Sequence, residues 1–174
     1  MASDIQYILI NSVPESHWTD DVPAIASVFI ALLALFVTLY QSHLSRKHNR
    51  LSVKPHLAIH SEEDDDTFKI IIKNDGLGPA TIDMFNIFAN SVLVDGAGEK
   101  LLMTAFENLT RCTVIAIEAI NTPFVLPTNQ QIQLVTLKFD KNLNSIEDYL
   151  EENLRLEIKY KSIYEETFIL DSDS

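Results

Sequence analysis

Histidine and cysteine are the residue types in this chain best suited to metal binding or nucleophilic chemistry. His56 and His60 lie four residues apart in a predicted strand, which separates them by about 13 Å, too far for one metal ion. His43 and His48 are five residues apart on a predicted helix and lie on different faces. Cys112 is the single cysteine, so no disulfide can form within the chain, and its apolar neighbours indicate a core residue. These residues predict no metal site.

Paired carboxylates are the other candidates for chemistry. Glu147–Asp148 and Glu151–Glu152 recur at helical spacing, as on the solvated face of a helix. Carboxylate catalysis needs a buried acid with a shifted pKa, whereas these positions are predicted to be exposed. Spacing alone leaves open a nucleophilic pair of Cys112 with a histidine, although no third group is placed to orient it. The sequence favours a protein that is not an enzyme and needs no cofactor.

An uncharged run of nineteen residues, Val22–Tyr40, predicts one transmembrane helix. At about 1.5 Å per residue it spans roughly 28 Å, close to the hydrocarbon thickness of a bilayer. Trp18 and Tyr40 flank it as interfacial aromatic residues do. A cleavable signal peptide is disfavoured because the preceding segment is acidic and the apolar run is long. A buried core helix is disfavoured because the remaining chain is too small to surround it.

Charges beside the span predict its orientation. The segment 1–21 carries four acids and no Lys or Arg, whereas basic residues follow the span in a juxtamembrane stalk, 41–54. These basic flanks are Arg46, Lys47, Arg50 and Lys54. Positive flanks remain on the cytoplasmic side, so segment 1–21 is expected outside and the C-terminal domain inside. The expected location is the inner (plasma) membrane, crossed once.

Small residues on the span form two small-xxx-small pairs, Ser27 with Ala31 and Ala34 with Thr38. Such pairs let two helices approach closely and predict a homo-oligomer. The alternative is that the span only anchors the protein.

Residues 55–171 are predicted to form a domain of short strands, followed by a tail at 172–174. The predicted strands are 56–60, 68–73, 81–88, 91–94, 114–120, 124–126, 132–139, 154–161 and 166–170. Amphipathic helices are predicted at 99–109 and 145–153, the latter opened by a capping box at Ser145. Turn signals every 8–12 residues or so indicate an antiparallel β-sandwich.

Two loops in this domain have distinctive sequences. The acidic run 62–66 is predicted to be a solvated loop. The turn 74–80, NDGLGPA, is expected to use positive φ angles and is a candidate partner-binding loop, with Asn74, Gly76, Gly78 and Pro79 as its site residues. From Pro55 onward 9 basic and 21 acidic residues give a charge of −12, which disfavours nucleic-acid binding.

Segments across the chain resemble a known architecture. The span, then RKHNRLSVKPHL, IIIKNDGLGPATI and YKSIYEE, resembles uncharacterised bacterial single-pass membrane proteins with a cytoplasmic Ig-like β domain. Many of those proteins carry Gly at the position of Glu165, so the last turn is expected to differ here. The resemblance implies an architecture and no activity.

The combined expectation is a non-enzymatic, membrane-tethered scaffold that presents an acidic β-sandwich to an unknown protein partner at the inner leaflet. The alternative is a ligand- or partner-gated effector whose spans cluster and perturb the bilayer. A polar-lined pocket in the domain would favour this alternative.

Overall fold

The computed structural model describes residues 18–107, 109–140 and 145–173, with side chains from residue 21 onward. The chain divides into two compact units between Arg46 and Lys47. Helix α1, Trp18–Leu51, contains the predicted span and continues into the second unit. Pro23 lies in its second turn, where proline has no N–H and so removes one backbone hydrogen bond of the helix. Within the described residues, α1 is the one helix long and apolar enough to cross a membrane.

The second unit is mainly β, as predicted. Its elements are β1 Leu57–Asp64, β2 Thr67–Asn74, β3 Ala80–Ala89, β4 Val92–Leu93, α2 Gly98–Glu107, β5 Cys112–Ile117, β6 Phe124–Leu126, β7 Gln131–Phe139, α3 Ile146–Asn153, β8 Leu154–Lys161 and β9 Thr167–Asp171. One antiparallel sheet has the order β1-β2-β7-β5. The other has the order β4-β3-β8-β9, and β6 also pairs with β3.

Both sheets contribute to a single hydrophobic core. In β8, buried residues alternate with half-buried charged ones, because successive side chains of a strand point to opposite faces. Its inward residues, among them Ile158, pack in the same cluster as Ile72 of β2 and Leu137 of β7. Leu102 of α2 is also fully buried there. The alternation predicted for 154–161 is confirmed.

The acidic run differs from its prediction as a loop, which is wrong for residues 62–64. β1 continues to Asp64, and Glu62 pairs with Lys69 across the hairpin, where their side chains lie 3.3 Å apart. The backbone is paired with β2 while the acidic side chains remain exposed, so solvated charge and strand structure coexist. Asp65, with φ of 47°, forms part of the shortened turn.

The cap predicted for α3 is confirmed. The Ser145 hydroxyl accepts a hydrogen bond from the Asp148 backbone N–H at 3.1 Å. This satisfies one of the N–H groups that a helix leaves without a partner in its first turn. It also fixes where α3 begins relative to β8.

Candidate functional site

A single buried side chain, Asn74, joins the loop after β2 to two other segments. Its Oδ1 accepts hydrogen bonds from the backbone N–H of Gly76 at 3.0 Å and of His56 at 3.3 Å. Its Nδ2 donates to the carbonyl oxygens of Gly78 at 2.9 Å and Leu126 at 3.0 Å. All four hydrogen-bonding positions of the amide are thus used. Asn74 bridges the start of β1, the loop and the end of β6.

The two glycines of this loop are buried where stretches of backbone meet. A Cβ at Gly76 would overlap the His56 backbone nitrogen, and a Cβ at Gly78 would overlap the Val53 carbonyl oxygen. Neither glycine has a positive φ, and neither does Asn74. The expectation of positive φ angles in this loop is therefore wrong. Glycine is needed here because the segment before β1 approaches too closely for any side chain.

The predicted partner-loop residues are largely enclosed by the domain. Three are buried and the fourth is half-buried: Asn74, Gly76 and Gly78, and then Pro79. Leu77, which the sequence analysis did not single out, exposes 69% of its surface. Its backbone N–H donates to the Lys54 carbonyl oxygen at 2.9 Å. The loop therefore binds the preceding segment through its backbone and presents Leu77 to the outside.

Residues 47–56, called the linker below, comprise the last five residues of α1 and the segment before β1. They also contact the turn after β8 and the start of β9. The Arg50 guanidinium lies 3.6 Å from the Glu166 carboxylate and 5.8 Å from the ring centroid of Tyr164. The Lys54 ammonium lies 5.2 Å from the ring centroid of Phe168. Both cations remain largely exposed, so each contact uses one side of the side chain. Two of the four predicted basic flanks thus fasten the linker to the domain.

The remaining predicted flanks also lie on α1. Arg46, Lys47 and Tyr40 are exposed. The side chain of Trp18 lies outside the described residues. The four small residues of the span fall on one helical face because they recur at intervals of four and three: Ser27, Ala31, Ala34 and Thr38.

The hydroxyls on this face of α1 are bonded within the helix. Ser27 donates to the Pro23 carbonyl oxygen at 2.7 Å, and Thr38 donates to the Ala34 carbonyl oxygen at 2.8 Å. Both hydroxyls are therefore satisfied without a second helix.

Residues considered for chemistry are placed in ion pairs or packing. Among the described residues, no group of three His, Cys, Asp or Glu side chains could hold a metal ion. His60 Nε2 lies 3.0 Å from Asp75 Oδ2, and Lys73 and His60 together lower the pKa of that carboxyl. Cys112 is half-buried, and burial raises the pKa of its thiol, which disfavours the reactive thiolate.

A cavity of about 230 Å³ opens between β1, β2, α3 and the start of β8. Its floor is apolar: Phe68, Ile70, Leu150, Leu154 and Leu156. Acids stand at its rim, where Glu147 accepts a hydrogen bond from the Ser61 hydroxyl at 3.0 Å and Glu151 follows one helical turn later. We call this site the α3 groove. It combines a hydrophobic floor with a negatively charged edge.

The helical spacing of Glu147 and Glu151 predicts a solvated helix face and gives no prediction of the groove. It forms because α3 packs beside β1, from which it is separated by more than eighty residues of chain. The available signal was the position of two acids one turn apart, next to the inward-facing Leu150.

Residues 22–174 match a family model described as Domain of unknown function (DUF8453). The chain belongs to this family. The matched range of DUF8453 begins within α1 at Val22 and includes β1 to β9. The apolar helix and the β domain are thus parts of one DUF8453 unit. No curated protein matches the chain.

Proposed function

We propose that this DUF8453 protein is a membrane-tethered interaction module without catalytic activity. Its apolar helix crosses the inner membrane once, with the N-terminus outside. Its Ig-like β domain binds a protein partner on the cytoplasmic side. The observation that carries the proposal is the α3 groove.

The size and lining of the α3 groove favour a peptide anchor over a cofactor. Its volume of about 230 Å³ falls below the roughly 300–1,000 Å³ of sites that enclose drug-sized ligands. The apolar floor suits one or two apolar side chains of a partner. Glu147 and Glu151 at the rim favour a partner with Lys or Arg beside that anchor, since opposite charges speed encounter and set orientation. The net charge of −12 acts in the same direction.

Tethering strengthens binding without adding contacts. A helix that fixes the domain at the bilayer raises its effective concentration for a membrane-bound partner. The apolar side chains of α1 between Val22 and Tyr40 are exposed in the structure, which supports lipid as their environment.

Charge reversal at the groove rim tests the binding site. In native membranes, we expect the wild-type chain to be crosslinked to a partner protein, and Glu147→Lys with Glu151→Lys to abolish that crosslinking. The matched control is Asp148→Lys with Glu152→Lys, which changes the same charge on α3 at positions that do not line the groove. Equal crosslinking in both double variants would contradict the proposed site.

Reporter fusions test the proposed orientation. A reporter that fluoresces only in the cytoplasm should be bright after Ser174, and a reporter enzyme active only outside the cytoplasm should be silent there. Replacing Arg46, Lys47, Arg50 and Lys54 with Gln while adding Lys near residue 4 should invert or scramble insertion. The opposite reporter pattern in the unaltered chain would contradict the orientation.

A second candidate function, a membrane effector with clustering spans, is favoured by the small-residue face of α1. Bulky substitutions Ser27→Leu and Ala31→Leu would block close approach of two helices. The control pair Ile25→Phe and Leu32→Phe adds bulk on other faces.

Replacing the whole span distinguishes the two candidate functions. If the protein is an interaction module, replacing 22–40 with an unrelated span of the same orientation should preserve its activity, because the span contributes only location. Loss of activity on this swap, with normal expression and insertion, would falsify the module and favour the effector.

A further inference from the structure

The linker, the loop after β2 and the turn after β8 meet at one end of the β domain. Leu57 at the start of β1 pairs with Asn74 at the end of β2. Thr81 near the start of β3 pairs with Lys161 at the end of β8. The two sheets are joined here, because the Leu57 N–H donates to the Tyr160 hydroxyl at 3.4 Å. We call the surface formed by residues 47–54, 75–79 and 162–166 the linker end.

Large apolar side chains are exposed at the linker end. Leu51, Leu77, Ile163 and Tyr164 expose between 43% and 69% of their surfaces. They come from three separate segments that the contacts of the linker bring to the same end of the domain. An apolar patch built from several segments marks a surface that contacts another phase or molecule.

Cations are interleaved with these apolar residues. Lys47, Arg50 and Lys54 are exposed on the linker. The acids at this end are close to cations: Asp75 lies near Lys73 and His60, Asp83 and Glu165 near Lys161, and Glu166 near Arg50. The linker end therefore lacks the strong negative charge of the whole chain.

Acids are concentrated at the opposite end of the strands. The β1–β2 hairpin carries five consecutive acids, 62–66, at its tip. Helix α3, with its four acids, immediately precedes Leu154, which pairs with Ala89 at the far end of β3. Eight residues of strand separate the two ends by about 25 Å. The charge of the domain is thus polarised along its strands.

We propose that the linker end lies on an anionic bilayer surface, with its leucine, isoleucine and tyrosine side chains in the headgroup region. Lys and Arg beside apolar and aromatic side chains are the residues that bind such interfaces. The acidic hairpin tip and α3 are repelled by the same surface, which fixes the orientation of the domain. The α3 groove then faces away from the lipid, toward a partner.

Chain connectivity brings this surface to the membrane. Seven residues lead from Tyr40, at the end of the apolar run, to Lys47. Even a fully extended chain of that length reaches at most about 25 Å. The inference therefore rests on the proposed membrane crossing of α1, and adds to it a second contact made by the folded domain.

The test uses the full chain in vesicles, with a fluorophore attached to one engineered cysteine in a Cys112→Ser background. We expect a label at Leu77→Cys or Ile163→Cys to be quenched strongly by nitroxides on lipid headgroups and weakly by aqueous iodide. Val92→Cys is the matched control, since Val92 is as exposed as Leu77, at 68%, but lies in the hairpin at the other end of β3. Its label should show the reverse pattern.

Varying the lipid charge distinguishes binding of the linker end to anionic headgroups from mere closeness of the domain to the bilayer. Headgroup quenching at Leu77→Cys should be several-fold stronger in vesicles containing phosphatidylglycerol than in phosphatidylcholine alone. Lys47→Gln, Arg50→Gln and Lys54→Gln together should abolish that difference. Lys138→Gln, a cation paired with Asp66 beside the acidic hairpin, should preserve it.

Carbonate extraction of the same vesicles distinguishes failure of the docking surface from failure of the proposed membrane crossing. An integrated chain with equal quenching at Leu77 and Val92 would overturn the docking surface alone. A wild-type chain that carbonate releases would overturn both the docking surface and the membrane crossing.

Discussion

The side-chain amide of Asn74 donates a hydrogen bond to the Gly78 carbonyl oxygen at 2.9 Å, so the last residue of β2 also fixes the loop that follows it. The same amide holds His56 at the start of the domain. One residue thus couples the linker attachment to the sheet. Loss of the Asn74 side chain should therefore lower the stability of the whole domain.

Asn74→Ala should lower the free energy of unfolding by about 3 kcal/mol, because buried carbonyl oxygens of Gly78 and Leu126 lose their donor. Residues 47–174 form one compact unit, and urea unfolding of that fragment, followed by circular dichroism, measures the change. Leu77→Ala, at an exposed side chain of the same loop, should cost under about 0.5 kcal/mol. Similar costs for both variants would refute the bridging role of Asn74.

Glu165→Gly should raise the stability of the fragment by up to about 1 kcal/mol, because Glu165 has φ of 61°, where glycine avoids the cost borne by other residues. Glu165→Ala removes the exposed carboxylate near Lys161 but keeps the strained backbone, so its thermal midpoint should stay near that of the wild type. If Glu165→Ala raised the thermal midpoint as much as Glu165→Gly does, the stabilisation would come from removing the charge and not from relieving the strained backbone.

Ile158→Asp should unfold the fragment, because Ile158 is fully buried between the sheets and the new carboxylate would have no partner. Lys159→Asp, on the opposite face of β8, should change stability by less than about 0.5 kcal/mol. Circular dichroism and gel filtration distinguish the two results. A folded Ile158→Asp variant would show that this strand is not enclosed.

Stability should depend on pH through the Arg155–Asp171 pair. Arg155 donates to the Asp171 carboxylate and lowers its pKa to about 2, below the value of about 3.9 in an unfolded chain. The Asp171 carboxylate thus binds a proton less readily in the folded form than in the unfolded chain. The contribution of the pair to the free energy of unfolding is therefore complete above about pH 4 and is lost as the pH falls toward 2.

The gap in thermal midpoint between wild type and Asp171→Asn should therefore narrow from pH 5 to pH 2. The gap between wild type and Arg155→Gln should narrow over the same range, since either substitution removes the pair. A gap in thermal midpoint that stays constant across this range would show that this pair is not the source of the pH dependence of stability.

Patterns within short segments were enough to locate most elements. Strict alternation at 154–161 predicted β8, and the Ser145 box predicted the start of α3, because both depend on residues close in sequence. The acids of 62–64 were misassigned because charge reports solvation and says little about backbone pairing. The pairing partner, Lys69, lies across a hairpin.

The sequence by itself determined a long apolar helix, a mainly β domain after it, and a strongly acidic charge, since these follow from composition and local period. Only the tertiary structure decided that Asn74 and Gly78 are buried against the linker, and that Ser61 and Glu147 meet at one groove. Such contacts join segments far apart in the chain, and nothing in either segment alone specifies its partner. The physical reason is that packing selects contacts by the shape and burial of the whole core, whereas local patterns select only backbone conformation and the face that is buried.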